Sequence, residues 1–519
     1  MQEHAIRKIV IVGGGTAGWM SAAPLVQRLG KHCEVVLVES PEIGTIGVGE
    51  ATLPTIRYYN AALGLDQADF MQKTQATFKL GIEFADWGHL GNRFFHGFGD
   101  FGPAIENRSP HLYWLRLARA FEQMPPLDAW SMAATMARQN KFAPPHAQTP
   151  SITDAYTYGF HFDAGLYAAY LRDYAVQRGA VRIEGTVTGV DQHPETGFIT
   201  AVRLRDGRRI DGDLFIDCSG FRGLLIEDTL HAGYEDWSEQ LPCNSALAVP
   251  SESVATITPY TRSTAKEAGW IWRIPLQHRT GNGHVYSDAF TTDDAAREAL
   301  LASLDAPALD TPRQLRFVTG RRRRMWVKNC VAIGLSAGFV EPLESTSIHL
   351  IETAVGKLIT LFPDRACHST LSTEFNDYMA GRYASVRDFI VMHYKLTRRD
   401  DSPFWRNCAA MPIPASLKHQ IDLFRETGRV ALRDADGFAE PSFVAMLLGL
   451  GVMPQKYDPL VDHLDLRQLH GHFAGLRDAI ARTVQAMPAH GDALQPPGAA
   501  SGGAASIILR RPPSSKVPT

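Results

Sequence analysis

Two runs of mostly apolar and β-branched residues, Lys8–Val12 and Val35–Val38, frame the start of the chain. Between them Gly13–Gly18 is a glycine turn, and Ala17–Leu29 carries its apolar residues at helical spacing, so the segment predicts strand, turn, helix, strand. Residues 180–190 and 200–204 alternate apolar and polar positions, with Glu195-Thr196-Gly197 between them as a hairpin signal. Asp213–Asp217 reads as a buried strand, and Cys330–Ile333 as another that runs into Gly334, ahead of a helix from Ser347 onward. The stretches from about 85 to 150 and from about 370 to 490 are rich in aromatics, Met, His and helix formers, which predicts a mainly helical lobe. From Gln495 on, Pro, Gly, Ala and Ser dominate and predict a flexible tail.

Length and composition narrow this picture. The 519 residues suffice for two or three domains, and 45% apolar with 21% charged residues is the balance of a globular protein. A formal net charge of -3 argues against a nucleic-acid partner. The run Arg321-Arg322-Arg323-Arg324 is the local exception and reads as support for the core or an interface. Six scattered cysteines without a C-x-x-C pair suggest neither zinc nor a disulfide scaffold and point to a reducing cytoplasm. His463, His470 and His472 lack the further ligands that would complete a site, so no metal is expected. No signal-peptide pattern opens the chain, and no run is apolar and long enough to span a membrane.

In Gly13-Gly14-Gly15-Thr16-Ala17-Gly18 the first glycine permits the tight turn, the second lets backbone amides approach a pyrophosphate, and the third lets helix and strand pack closely. Glu39 follows at the end of the second strand, where a carboxylate accepts ribose hydroxyls. Asp213–Gly220 and Val331–Gly334 look like the strand ends that complete an FAD site in flavoprotein monooxygenases, which favours FAD over NAD. A second strand-GxGxxG-helix unit for NADPH is missing, so reduced flavin is expected from a separate NAD(P)H-dependent reductase.

Four further stretches occur in a telling order: Gly47-Val48-Gly49-Glu50-Ala51-Thr52, Phe78-Lys79-Leu80-Gly81, Gly269-Trp270-Ile271-Trp272-Arg273-Ile274-Pro275 and Glu341-Pro342-Leu343-Glu344-Ser345-Thr346. Over roughly residues 5 to 490 the chain resembles the flavin-dependent tryptophan halogenases. Two tryptophans at spacing two, followed by Ile-Pro, are the most specific signal, and in strand geometry Trp270 and Trp272 point to one side as an aromatic wall. The fold this implies is α/β: an FAD-binding Rossmann-like core of flavoprotein monooxygenase type with an added, mainly helical substrate lobe. The expected divisions are 5–85, 150–245 and 310–365 for a discontinuous FAD-binding core. Residues 86–149 and 366–494 form the substrate lobe, 246–309 a strand-rich segment carrying the tryptophan motif, and 495–519 the tail.

The resemblance implies roles residue by residue. Gly13, Gly15, Thr16, Ala17, Gly18, Glu39, Glu50, Ala51, Thr52, Val187, Asp217, Gly334 and Leu335 match cofactor positions. Lys79, in an apolar setting, would hold hypohalous acid by a hydrogen bond or, once neutral, attack it to form a haloamine. Glu344 would stabilise and deprotonate the cationic ring intermediate. Thr346 and Ser347 match halide-binding positions, with Ser347 standing where the family usually has glycine, so chloride versus bromide preference is open. His96 and Phe98 match an aromatic pair that sandwiches indole, and Pro342 and Ser345 join them on the substrate side.

One departure concerns the substrate. Where tryptophan-specific members grip the amino-acid backbone with tyrosines, tryptophans and a glutamate, this chain reads Pro441-Ser442-Phe443-Val444-Ala445-Met446-Leu447-Leu448-Gly449-Leu450-Gly451-Val452-Met453-Pro454. Indole, or a larger indole-bearing or phenolic molecule, is therefore expected in place of free tryptophan. The expected activity is FADH2- and O2-dependent halogenation of an electron-rich aromatic. The alternatives are a flavin-dependent aromatic hydroxylase and a non-catalytic flavin-binding accessory protein, and a homodimer is allowed.

Overall fold

Strand Lys8–Val12 lies inside a six-stranded sheet between Glu34–Glu39 and Leu214–Asp217, with parallel register on both sides. Val181–Glu184 extends the sheet beyond Glu34–Glu39, and Cys330–Ala332 beyond Leu214–Asp217. All are parallel; only Trp326–Val327 at the far edge runs antiparallel. The central strands are apolar along nearly their whole length because both faces are covered, as parallel sheets require. Helix Thr16–Leu29 starts directly after the first strand and packs on helices Ala164–Gln177 and Ser347–Thr360. Asp163 caps the first of these, Ala164–Gln177, accepting from Gly165 N and Leu166 N. The computed structural model describes residues 4–42, 49–145 and 155–495; Gly47, Val48 and the tail from residue 496 lie outside the described residues.

A seven-stranded sheet joins segments far apart in sequence. Its order is Arg313–Arg316, Ser245–Ser251, Thr280–Tyr286, Gly269–Pro275, Thr261–Lys266, Gly81–Ala85 and Arg93–Gly97. The tryptophan strand Gly269–Pro275 is thus three places from the edge strand that carries His96. The stretch 86–149 holds helices Pro110–Ala120 and Met132–Arg138, as its composition suggests, but also this strand. Phe94 and Phe95 bury on opposite faces of it, a two-sided burial that composition alone reads as helix core. A small antiparallel sheet of Gly49–Ala51, Gly159–Asp163 and Thr77–Lys79 positions the lysine, with Lys79 opposite Gly159.

The C-terminal part is helical, led by Ser369–Lys395 and with Leu466–Gln485 as its second long helix. The long helix sends Phe389, His393 and Tyr394 into the core. No described helix is long and apolar enough to cross a membrane. Arg321 and Arg322 pair with Glu235 at 2.6 Å and Glu227 at 2.8 Å, so half of the arginine run is spent inside the fold. All six cysteines are free thiols. Burial raises every one above the ordinary thiol value, Cys33 to about 11, Cys367 to about 12, and Cys218, Cys243, Cys330 and Cys408 further.

Candidate active site

A cavity of about 480 Å³ opens over the carboxyl ends of the parallel strands. Gly13, Gly15, Thr16, Ala17, Glu39, Glu50, Ala51, Val187, Gly334 and Leu335 all line it. Gly13 sits at φ +117°, and a Cβ there would fall 2.1 Å from the Cys218 carbonyl oxygen, so only glycine lets the two strand ends approach. Helix Thr16–Leu29 has Gly15 as its N-cap with no side-chain cap, which leaves its first amides facing the cavity. That is the arrangement a pyrophosphate needs, and with Glu39 at the neighbouring strand end the residues fit a dinucleotide. Glu39 is held by Arg182, a partner the sequence did not reveal.

Three expected cofactor residues lie elsewhere. Gly18 is buried inside the helix against Gly13 and Leu37. Thr52 is buried, its hydroxyl bonded to the Phe160 carbonyl at 2.9 Å. Asp217 keeps its carboxylate from the cavity altogether. It accepts from Ser219 N and Oγ at 2.9 and 2.6 Å and from Leu225 N and Ile226 N at 2.7 and 2.8 Å. It thereby shapes a loop whose Ser219, Phe221 and Arg222 do line the cavity.

The inner end of the cavity is walled by Trp270 and Trp272, whose ring centroids are 6.0 Å apart. Trp270 donates its indole N–H to Glu341 at 2.9 Å, and Tyr394 donates to the same oxygen at 2.6 Å. Burial lifts the Glu341 carboxyl to about 7 against these two bonds. Trp272 lies over Gly283 on the adjacent strand, where a Cβ would meet its ring at 2.0 Å. Pro342, Ser345 and Ser347 line the same cavity. Ser347 opens helix Ser347–Thr360, whose N-cap Thr346 makes no side-chain cap and has a buried hydroxyl without a partner among the described residues.

The expected catalytic residues come together around Glu344 and Ser345. Lys79 is wholly buried and donates to Ser345 Oγ at 2.7 Å and to the Thr52 carbonyl at 3.2 Å. Ser345 adopts the left-handed conformation, φ +60°, which non-glycine residues adopt chiefly where their surroundings hold them. Ser345 is thus both a lining residue of the cavity and a partner of the amine. The Phe98 ring lies 4.9 Å from the Lys79 nitrogen. Burial lowers the Lys79 ammonium from 10.5 to about 7, with the Glu344 charge pulling the other way.

Glu344, also wholly buried, accepts from His96 Nδ1 at 3.0 and 3.2 Å and from His393 Nε2 at 2.8 Å. Burial alone would raise its carboxyl, but the two imidazoles outweigh that and hold it at about 2. His96 and Phe98 share one side of the edge strand and its extension, under an aromatic shell in which Phe389 lies 5.8 Å from His96. Phe438 stacks on Phe389 with centroids 3.8 Å apart, and Phe443 meets the same ring edge-to-face at 5.1 Å. Helix Glu440–Gly449 packs on this strand through Phe443, Val444, Met446 and Leu447; its one carboxylate, Glu440, is bonded to Ser109.

Sequence reasoning missed His393, Tyr394 and Gly283. Val391-Met392-His393-Tyr394 looks like an ordinary apolar helix segment, and nothing in its spacing announces a carboxylate 49 positions away. Alternating glycines in Thr280–Tyr286 were the available signal for Gly283.

Comparison with known proteins agrees with this geometry. The tryptophan halogenase family profile matches residues 8–466. Tryptophan 6-halogenase ThaL of Streptomyces albogriseolus is 36% identical over 95% of this chain and 99% of its own length. Tryptophan 7-halogenase KtzQ of Kutzneria is 37% identical over 89% and 92%. Among solved structures, the flavin-dependent halogenase BrvH from Brevundimonas superposes with a TM-score of 0.91 at 46% identity, covering 94% of this chain and 99% of that one. A flavin-dependent halogenase from Xanthomonas campestris gives 0.91 at 43%, covering 94% and 98%.

Proposed function

This chain belongs to the tryptophan halogenase family and is a flavin-dependent halogenase, and from that premise we propose how its residues divide the work. The large cavity takes FAD, its pyrophosphate on the amides after Gly15 and its ribose on Glu39. Reduced FAD, delivered by a separate reductase, would there give electrons to O2 alongside the halide, which is oxidised to hypohalous acid as O2 is reduced. The uncapped start of helix Ser347–Thr360, at Thr346 and Ser347, holds the anion. Trp270 and Trp272 keep the arene from the flavin, so only a small reagent crosses.

Lys79 receives that reagent. One observation carries this reading: the lysine is fully buried, yet donates to Ser345, a residue that lines the flavin cavity. Burial also favours its neutral, nucleophilic form. His96 and Phe98 present the arene, and Glu344 supports loss of the ring proton. The apolar helix Glu440–Gly449 favours indole or another flat, electron-rich ring over the zwitterion of an amino acid, whose charges would be buried without partners.

The test uses the full chain with FAD, a reductase, O2, bromide and indole. Lys79→Ala abolishes bromoindole while FAD binding and release of hypobromous acid to a scavenging dye persist. Bromoindole formed at the normal rate would overturn the assignment. In the same assay kcat/KM for indole exceeds that for tryptophan, and the reverse order would refute the substrate reading.

A further inference from the structure

Glu344 is flanked by two imidazoles, and the partners of each nitrogen assign their protons. His393 Nδ1 lies 2.8 Å from the Phe389 carbonyl oxygen, which only accepts, so this nitrogen carries a hydrogen. His393 Nε2 lies 2.8 Å from Glu344 Oε1 and must donate as well, because a bare nitrogen against a carboxylate would set lone pair against lone pair. His393 is therefore an imidazolium that compensates the carboxylate. His96 Nδ1 faces the same carboxylate and donates to it, which puts the lone pair on Nε2. That nitrogen is buried, with the residue 1% exposed, and has no hydrogen-bond partner among the described residues. Of the basic atoms in the triad it is the one left uncommitted, since both Glu344 oxygens already accept imidazole N–H bonds.

We propose that His96 is the base that removes the ring proton, and that Glu344 and His393 are positioning residues behind it. The inference rests on the halogenase reading of the site. In the step, the ring carbon that has gained halogen loses its C–H bond. The electron pair returns to the ring, and the proton moves to His96 Nε2. The imidazolium so formed keeps its Nδ1–H on Glu344, as a carboxylate behind a histidine stabilises the charged ring in a serine–histidine–aspartate triad. Overall the arene and hypohalous acid give haloarene and water, with His96 holding the arene proton in transit. Glu344, bound tightly as a carboxylate by its neighbours, is a weak base for this work.

The experiment compares His96→Phe, His393→Phe and His393→Gln in the holoenzyme with reductase and bromide, using indole and ring-deuterated indole. Electrophilic substitution shows no primary isotope effect while proton loss is fast. Removing the base makes proton loss limiting. His96→Phe, which keeps an aromatic face for the arene, is expected to lower kcat about 10²- to 10⁴-fold, the usual worth of a general base, and to bring out a primary isotope effect. His393→Phe moves in the same direction. His393→Gln, which keeps an N–H toward Glu344, recovers part of the loss. In the parent enzyme, nitrogen-15 spectra of the histidines show one imidazolium and one ring with a bare Nε2, assigned by loss of each signal in the variants. An isotope effect absent from His96→Phe, or spectra with both nitrogens of His96 protonated at neutral pH, would overturn the relay. Should His393→Phe not fold, the spectra and His96→Phe still decide. Hypobromous acid is measured separately by the scavenging dye: its absence from the parent enzyme overturns the halogenase reading itself, and its presence confines any failure to the relay.

Discussion

Lys79 has a folded-state value near 7, against 10.5 for an ordinary lysine. At pH 7 an unperturbed amine would be neutral in roughly 3 molecules in 10,000, and this one in about half. If the neutral amine captures hypohalous acid, the share of oxidant converted to haloarene follows that titration. It rises from about a tenth of its limit at pH 6 to about nine-tenths at pH 8, then levels. The measurement is haloarene by mass spectrometry divided by total hypobromous acid formed, at each pH, with bromide and indole saturating; the ratio removes the pH dependence of the flavin chemistry. Lys79→Arg, whose guanidinium stays protonated, gives a low, flat profile. The sign for stability is set by the same shift. The unfolded chain binds the proton more tightly, so folding is penalised fully below about pH 7, and the penalty lifts as pH climbs toward 10.5. A haloarene share that is flat, or that falls as pH passes through 7, would refute the reasoning.

Gly283→Ala places a Cβ 2.0 Å from the Trp272 ring, so the ring must retreat by more than about an ångström. Overpacking of this kind costs about 1–3 kcal/mol, read as a lower denaturation midpoint, and the shifted wall should raise the fraction of hypobromous acid escaping to a dye; unchanged leakage would show that Trp272 is no barrier. Asp217→Ala strips the acceptor from four donors in the loop at 219–226 and is expected to weaken FAD binding at least tenfold by titration, although the aspartate does not line the cavity; unchanged FAD affinity would show that the loop holds its shape without it. Trp270→Phe removes a donor from Glu341 and should push that carboxyl further above 7, seen as a later titration by infrared difference spectroscopy; an earlier one would contradict the hydrogen-bond assignment.

What could be read from sequence was what local sterics and periodicity dictate. Gly13–Gly18 and its flanking strands are legible because a tight turn over a pyrophosphate tolerates few other residues, and the result is visible at Gly13 itself. The Trp270–Trp272 pair is legible for the same reason, since a period of two places both on one face. Relations across strands and helices are another matter. That Gly283 lies under Trp272 depends on antiparallel register, and that His393 reaches Glu344 depends on how a 27-residue helix docks. The strand Arg93–Gly97 shows the same limit. Its aromatics bury on both faces, so composition suggested a helical lobe where the chain instead extends the sheet that carries the tryptophans. Asp217 is the converse case, a residue in the expected place whose carboxylate shapes the loop instead of reaching the cavity.

The six unpaired cysteines acquire a meaning from this chemistry. A catalyst that manufactures an electrophilic halogen is its own nearest target, and sulfur is what such a reagent attacks first. Attack requires the thiolate, and burial has pushed every cysteine of the chain toward the protonated form. Cys218 is the exposed flank of that arrangement, for it borders the flavin cavity itself. The lifetime of the enzyme during turnover is thus written partly in the dielectric around six sulfur atoms.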